Sequence, residues 1–373
     1  MKTFLVTLSF LLVPFMAGAQ TDPTVTEPTF KDTVYKAEVV TIHAEGEQDV
    51  VGTGLRESYQ DISVRIIEGD RTGEMVRLEN DSGSLFSEGD QFYLHRLPAT
   101  GDSPELWSVG EPDRGGMLLF LLGLFIAVTL LVAGMAGLRS LVALAASFAL
   151  IIFALVPALS LGFPPAVTSI GFGVLILSVS MFVTHGVNRP TFVALLGSFA
   201  ALTFAALLAQ LAVTWGNLSG FVSDEAVFLN FQTAGAIDLT GLLLGGILIG
   251  IIGVLNDVSV SQVHTVVELH DANPTLSKTQ VWRKSMKVGR EHMGAVVNTL
   301  PLAYAGVSLP LLLLFSQSDA PFAFIVNREI FSAEIIRALA GSIGLLLSGA
   351  IATGLAVAVL VHKTPRDRMT RNK

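Results

Sequence analysis

The chain contains no cysteine. That excludes thiol nucleophiles, disulfide staples and thiolate-held metal centres, and it leaves no trace of the redox compartment. Charge is scarce too: 14% of the 373 residues are Asp, Glu, Lys or Arg, with a formal net charge of −8, so no basic surface for nucleic acid is expected. Neither a GxSxG elbow, a phosphate-binding GxxxxGK[ST] loop, an HExxH pair nor a kinase-type set occurs. Without such motifs no enzyme and no cofactor are expected.

What is present is apolar. Hydrophobic residues make up 51% of the chain and mean hydropathy is +0.63, and they gather in long blocks rather than spreading as in a soluble enzyme. This predicts a polytopic membrane protein. Residues 1–19 combine Lys2, an apolar run from Phe4 to Met16 and the small residues Ala17, Gly18 and Ala19 before Gln20. They read as a signal peptide cleaved after Ala19, or else an uncleaved anchor. Either way the chain from Gln20 is exported.

From Asp22 to Arg114 there are 20 acidic and 8 basic residues. Short alternating runs, "YKAEVVTI", "DISVRIIEG", "EMVRLEN" and "DQFYLHRL", are separated by a polar stretch around Gly46 to Gln60, by "GDRTG" and by "SGSLFSEG". Strand and turn chemistry at that spacing predicts an extracytoplasmic β domain over 20–115, OB-like or another small barrel. Its acid excess is read as a solvated surface that also offers an envelope protein something to bind.

Residues 116–373 are expected to form an α-helical membrane bundle. Seven stretches are long and apolar enough to cross: 117–137, 140–161, 166–185, 191–215, 239–262, 293–316 and 335–361. With the β domain outside, the inner connections carry Arg139, Arg189, the group Lys278, Arg283, Lys284, Lys287 and Arg290, and a tail from Lys363 to Lys373. The outer connections carry almost no Lys or Arg, so the positive-inside rule predicts the C-terminus in the cytoplasm.

The fifth stretch raises a question. Gly246, Gly250, Gly253, Asp257, Ser261, His264 and Glu268 are spaced by 4, 3, 4, 4, 3 and 4 residues, inside an arc of about 80° on a helix. Glycines so arranged are expected to let a neighbouring helix approach closely, turning Asp257 toward other helices or a cavity. A rise of about 25 Å from Leu239 ends at Leu255, so Asn256 and Asp257 belong near the cytoplasmic boundary. The alternative is an ordinary helix exit. In the sixth stretch Pro301 has no N–H, and the freed carbonyl of Val297 would lie beside Asn298 and Thr299. A candidate polar transport site therefore comprises Asn256, Asp257, Ser261, Gln262, Asn298, Thr299 and Tyr304. A packing kink is the plainer account of Pro301.

Asn273 as N-cap and Pro274 at the first position start a basic amphipathic helix over 274–292. It sets Val281, Trp282, Ser285, Met286, Val288 and Gly289 against Arg283, Lys284, Lys287 and Arg290. Such a helix lies in the inner interface and attracts anionic lipid. His264 and Glu268 are weak metal candidates, with no third ligand set by spacing.

The residues "VLNDVSVSQVH" at 254–264, "ELHDANP" at 268–274 and "KVGREHMGAVVNTLPLAYAGVSLPLLLLF" at 287–315, preceded by an exported β domain, resemble the YibE/F family of bacterial membrane proteins. The resemblance implies a multipass helical bundle with an exported N-terminal domain. It gives weight, without roles, to Asp257, Gln262, Gly289, Arg290, Asn298 and Thr299. Two functions stay open at this point: a transporter or permease for an unknown small ion or solute, and a membrane sensor or envelope assembly factor acting through the β domain.

Overall fold

The structure is a computed structural model and describes residues 33–49, 56–81, 83–99 and 104–361. The expected signal peptide and the basic tail from Lys363 lie outside the described residues. Two compact units divide at Val128.

The first unit holds an antiparallel sheet of β1 (Thr33–Asp49), β2 (Arg56–Ile66), β3 (Met75–Asn80), β4 (Gln91–Leu97) and β5 (Leu106–Pro112), in the order β3-β2-β1-β4-β5. Its edge strands β3 and β5 approach each other, so the sheet curls into a half-barrel. Alternation does the work: Tyr35, Ala37 and Val39 on β1, Ile62, Val64 and Ile66 on β2, and Phe92 and Leu94 on β4 all point into one core. The four alternating runs become β1 to β4. β5 was not among them, because "LWSVGEP" alternates weakly and carries Gly and Pro. The polar stretch expected to join the first two runs is instead largely strand. Glu45 to Asp49 pairs with Arg56 to Gln60, an exposed ribbon that needs no apolar face and is crossed by the Arg56–Glu47 ion pair at 3.4 Å.

Gln60 is buried at the inner end of that ribbon. Its Oε1 accepts from the Phe86 amide at 2.8 Å and from Asn80 Nδ2 at 3.2 Å, while its Nε2 donates to the Phe86 carbonyl at 3.0 Å. One side chain thus satisfies a loop whose Phe86 plugs the half-barrel, the condition for burying polar backbone without penalty.

Helix α1 (Gly115–Leu150) begins in the first unit and continues in the second through a π-helical turn, Ile151–Leu155, into the short α2 (Val156–Ser160). After it come α3 (Pro165–His185), α4 (Arg189–Trp215), α5 (Asp224–Gln232), α6 (Leu239–Ala272), α7 (Lys278–Val296), α8 (Thr299–Val307), α9 (Leu309–Ser316), α10 (Phe322–Asn327) and α11 (Glu329–Val359). Among the described residues five helical runs are long and apolar enough to cross a membrane, or six if the pair Lys278–Val307 and Leu309–Ser316, bent by 64°, is one span. The expected count of seven is higher because it divides the run Gly115–Ser160, 46 residues long, which is taken here as one. That run loses helical backbone at Gly134 (φ 55, ψ −131), within the first expected stretch rather than after it.

The second unit is built on α3, α4, α6 and α11, with α7 laid against α6 and α11. Close approach depends on small residues. A Cβ on Gly197 of α4 would stand 2.9 Å from Ala352 of α11, and one on Gly341 of α11 would stand 2.8 Å from Ile251 of α6, contacts that only glycine permits and that pull apolar helices together where lipid gives no hydrophobic push. Helix α7 starts four residues later than expected. Asn273 spends its side chain on Thr275, accepting from the amide at 3.1 Å and from Oγ1 at 2.6 Å, and the capping box of Ser277 and Gln280 starts the helix instead.

Candidate functional site

Helix α6 is the centre of the bundle, and its two sides differ. Leu244, Leu248, Ile251, Leu255, Val258 and Gln262 are buried against its neighbours, whereas Gly246, Gly250, Gly253, Asp257, His264 and Glu268 are exposed. The glycine stripe is therefore largely uncovered, contrary to expectation: a Cβ on Gly246 or Gly253 would meet nothing within 4 Å, and one on Gly250 only the Tyr304 hydroxyl at 3.1 Å. Periodicity decides which residues share a face; the bulky aliphatic residues decide which face the bundle covers. The glycines of α6 that do pack on a helix are Gly241 and Gly245, set against Ala166 and Ser169 of α3.

Toward the C-terminal end of this open face lies a cleft of about 780 Å³ lined by His185, Asp257, Val260, Ser261, His264, Thr265, Glu268, Leu269, Ala272 and Val288. Three helices make it: α6 as floor, the last residue of α3 and the side of α7. His185 and His264 meet edge to face, ring centroids 5.9 Å apart. His292 of α7 lies within electrostatic reach of Asp257. Neither Asp257 nor Glu268 has a hydrogen bond or ion pair among the described residues, and no Lys or Arg lines the cleft. The acids of α11 are different: Glu329 accepts from Ser219 Oγ at 2.7 Å and the Gly220 amide at 2.6 Å, and Glu334 pairs with Arg337 at 2.6 Å. Among the described residues no three His, Asp or Glu side chains converge as a metal site, so the His264–Glu268 pair gains no third ligand.

Of the residues expected to form one site, only Asp257 and Ser261 line the cleft. Asn256 is part-buried, with its Oδ1 lacking a partner. Gln262 faces the opposite way, 1% exposed, accepting from Thr353 Oγ1 at 3.0 Å and pressed on Gly289. Gly289 is thus a packing position, and Arg290 beside it is exposed. Asn298 and Thr299 are exposed where α7 ends and α8 begins. Val297 and Asn298 keep helical dihedrals, so Lys278–Val307 continues as one run with Pro301 inside it. Pro301 has no N–H to give the Val297 carbonyl, the mid-helix acceptor expected to be freed. Tyr304 belongs to another group: its hydroxyl lies 3.1 Å from where a Cβ on Gly250 would be, and Arg337 covers its ring at 5.6 Å.

Two features escaped sequence reasoning. The charge pair Glu334 and Arg337 was legible as an i, i+3 pattern at the start of the last apolar stretch. His185 was not: nothing local links the end of α3 to a residue 79 positions later.

Apolar helices around a small-residue core, with a polar cleft at one end, define a helical-bundle protein and suggest a membrane protein. The family model described as YibE/F-like protein matches residues 121–362, and the chain belongs to that family. No curated protein and no solved structure matches it.

Proposed function

We propose that this chain is a transporter or permease of the bacterial cytoplasmic membrane, with the half-barrel outside and the C-terminus in the cytoplasm. Seven crossings follow if the run Gly115–Ser160 is divided and the bent pair ending at Ser316 is one span; the Lys and Arg distribution supports that topology. The observation that carries the reading is the cleft, where two carboxylates without a hydrogen bond or ion pair among the described residues stand beside two imidazoles in edge-to-face contact. Ionisable groups at such places in membrane helices usually serve ion or proton paths. The site is then Asp257 and Ser261 joined by His185, His264 and Glu268.

The natural absence of cysteine makes the test direct. Single cysteines at Ser261 and Thr265 are expected to react with an impermeant maleimide from the cytoplasmic side, and Ser261→Cys also from outside in part of the population. If no position of the α6 face, Gly246→Cys included, ever labels from outside, transport is wrong. The sensor or assembly reading would then stand, supported by exposed Met75, Leu85 and Leu106 on the half-barrel as contacts for an envelope protein.

A further inference from the structure

We propose that the cleft is a proton relay: Glu268 takes H⁺ from the cytoplasm, His264 with His185 passes it inward, and Asp257 receives it as the coupling group. This rests on the transport reading and names the ion.

The geometry is a ladder. Asp257, Ser261, His264 and Glu268 follow one another at rises of about 6, 4.5 and 6 Å along one helix face, and all four line the same cleft. Water entering the cleft would bridge the steps, since direct side-chain contact is not required for a proton to hop. A relay needs members free to change state. Here no Lys or Arg lines the cleft to hold the carboxylates, whereas Glu334 is held by Arg337 and Glu329 by Ser219 and Gly220. The groups facing the ladder from other elements are His185 at the end of α3 and His292 on α7; Lys287 and Arg290 of α7 are exposed and do not line the cleft.

Two imidazoles at this separation disfavour a proton on both at once, so a second arriving proton pushes the first onward. Each step moves one H⁺ from an O–H or N–H of the donor to a carboxylate oxygen or ring nitrogen of the acceptor, directly or through water, and returns the donor to its starting form. No electron or further reactant is needed. A directly ligated metal ion fits less well, because no third ligand converges on the pair.

The test uses the full chain in proteoliposomes with a trapped pH dye and a potassium diffusion potential set by valinomycin. Wild-type protein is expected to admit H⁺ at least tenfold faster than protein-free vesicles. Asp257→Asn should fall to the protein-free rate, Asp257→Glu should keep part of the flux, and His264→Ala or His185→Ala should each slow it about tenfold and alter its pH profile. Wild-type flux equal to protein-free vesicles, or undiminished flux in Asp257→Asn, overturns the relay. Two-sided cysteine labelling alongside absent H⁺ flux would remove the proton and leave transport standing with another coupling ion.

Discussion

Single residues carry the second unit's tightest contacts. Gly289 of α7 has no room for a side chain: a Cβ there would lie 2.7 Å from Gln262 Cδ, and Gln262 cannot retreat without surrendering Thr353. Gly289→Ala should therefore destabilise the bundle by about 1–3 kcal/mol, the usual cost of overpacking. Thermal unfolding in detergent reads it. Adding Gln262→Ala should recover part of the loss, because the two changes share one contact and are not additive. A Gly289→Ala variant as stable as wild type would mean that α7 shifts freely on α6.

At the scale of elements, the start of α1 is tied to the sheet by Asp113. Its Oδ2 lies 2.7 Å from Lys36 Nζ on β1, and its Oδ1 accepts from the Gly115 amide at 2.9 Å. The Lys36 ammonium, then the Gly115 amide, holds the Asp113 carboxyl below its ordinary 3.8, while Asp113 raises Lys36 above its ordinary 10.5. A lowered carboxyl stabilises the fold above its ordinary value and loses that contribution as pH falls through the folded one; a raised amine does so below its ordinary value and loses it as pH rises through the folded one. The pair should therefore help steadily between 3.8 and 10.5. Lys36→Gln should melt lower than wild type at pH 7, with the gap closing as pH falls through the lowered Asp113 value. A gap independent of pH would assign the effect to packing.

Helix α7 shows how an element can keep its pattern and change its use. Val281, Ser285, Met286, Gly289 and Met293 are buried against α6 and α11 rather than lipid, while Trp282 and Val288 remain exposed. Lys278 Nζ donates to the Ala358 carbonyl at 2.7 Å, fixing the start of α7 to the C-terminal end of α11. Arg283, Lys284, Lys287 and Arg290 are exposed, and we propose that they meet anionic lipid. Their joint replacement by Gln should weaken binding of the purified protein to phosphatidylserine-rich nanodisc lipid by about 1 kcal/mol per charge. The difference should shrink in high salt. Equal retention of anionic and zwitterionic lipid by both proteins would exclude such a surface.

For the whole molecule, composition and spacing were enough to separate a β unit from apolar helices, to predict four of its five strands and to identify the residues that share the polar face of α6. These follow from local rules: alternation of period 2, helical period 3.6, and the length of apolar runs. They could not say which side of α6 the bundle covers, because that depends on how Leu244, Leu248 and Ile251 fit against α3, α4 and α11. Nor could they bring His185 beside His264, send Gln262 into a packed seam, or place Tyr304 with Gly250 and Arg337. Partners remote in sequence are chosen by the packing of several helices at once, so only the tertiary structure decided that Asp257 opens on a cleft and what shares it.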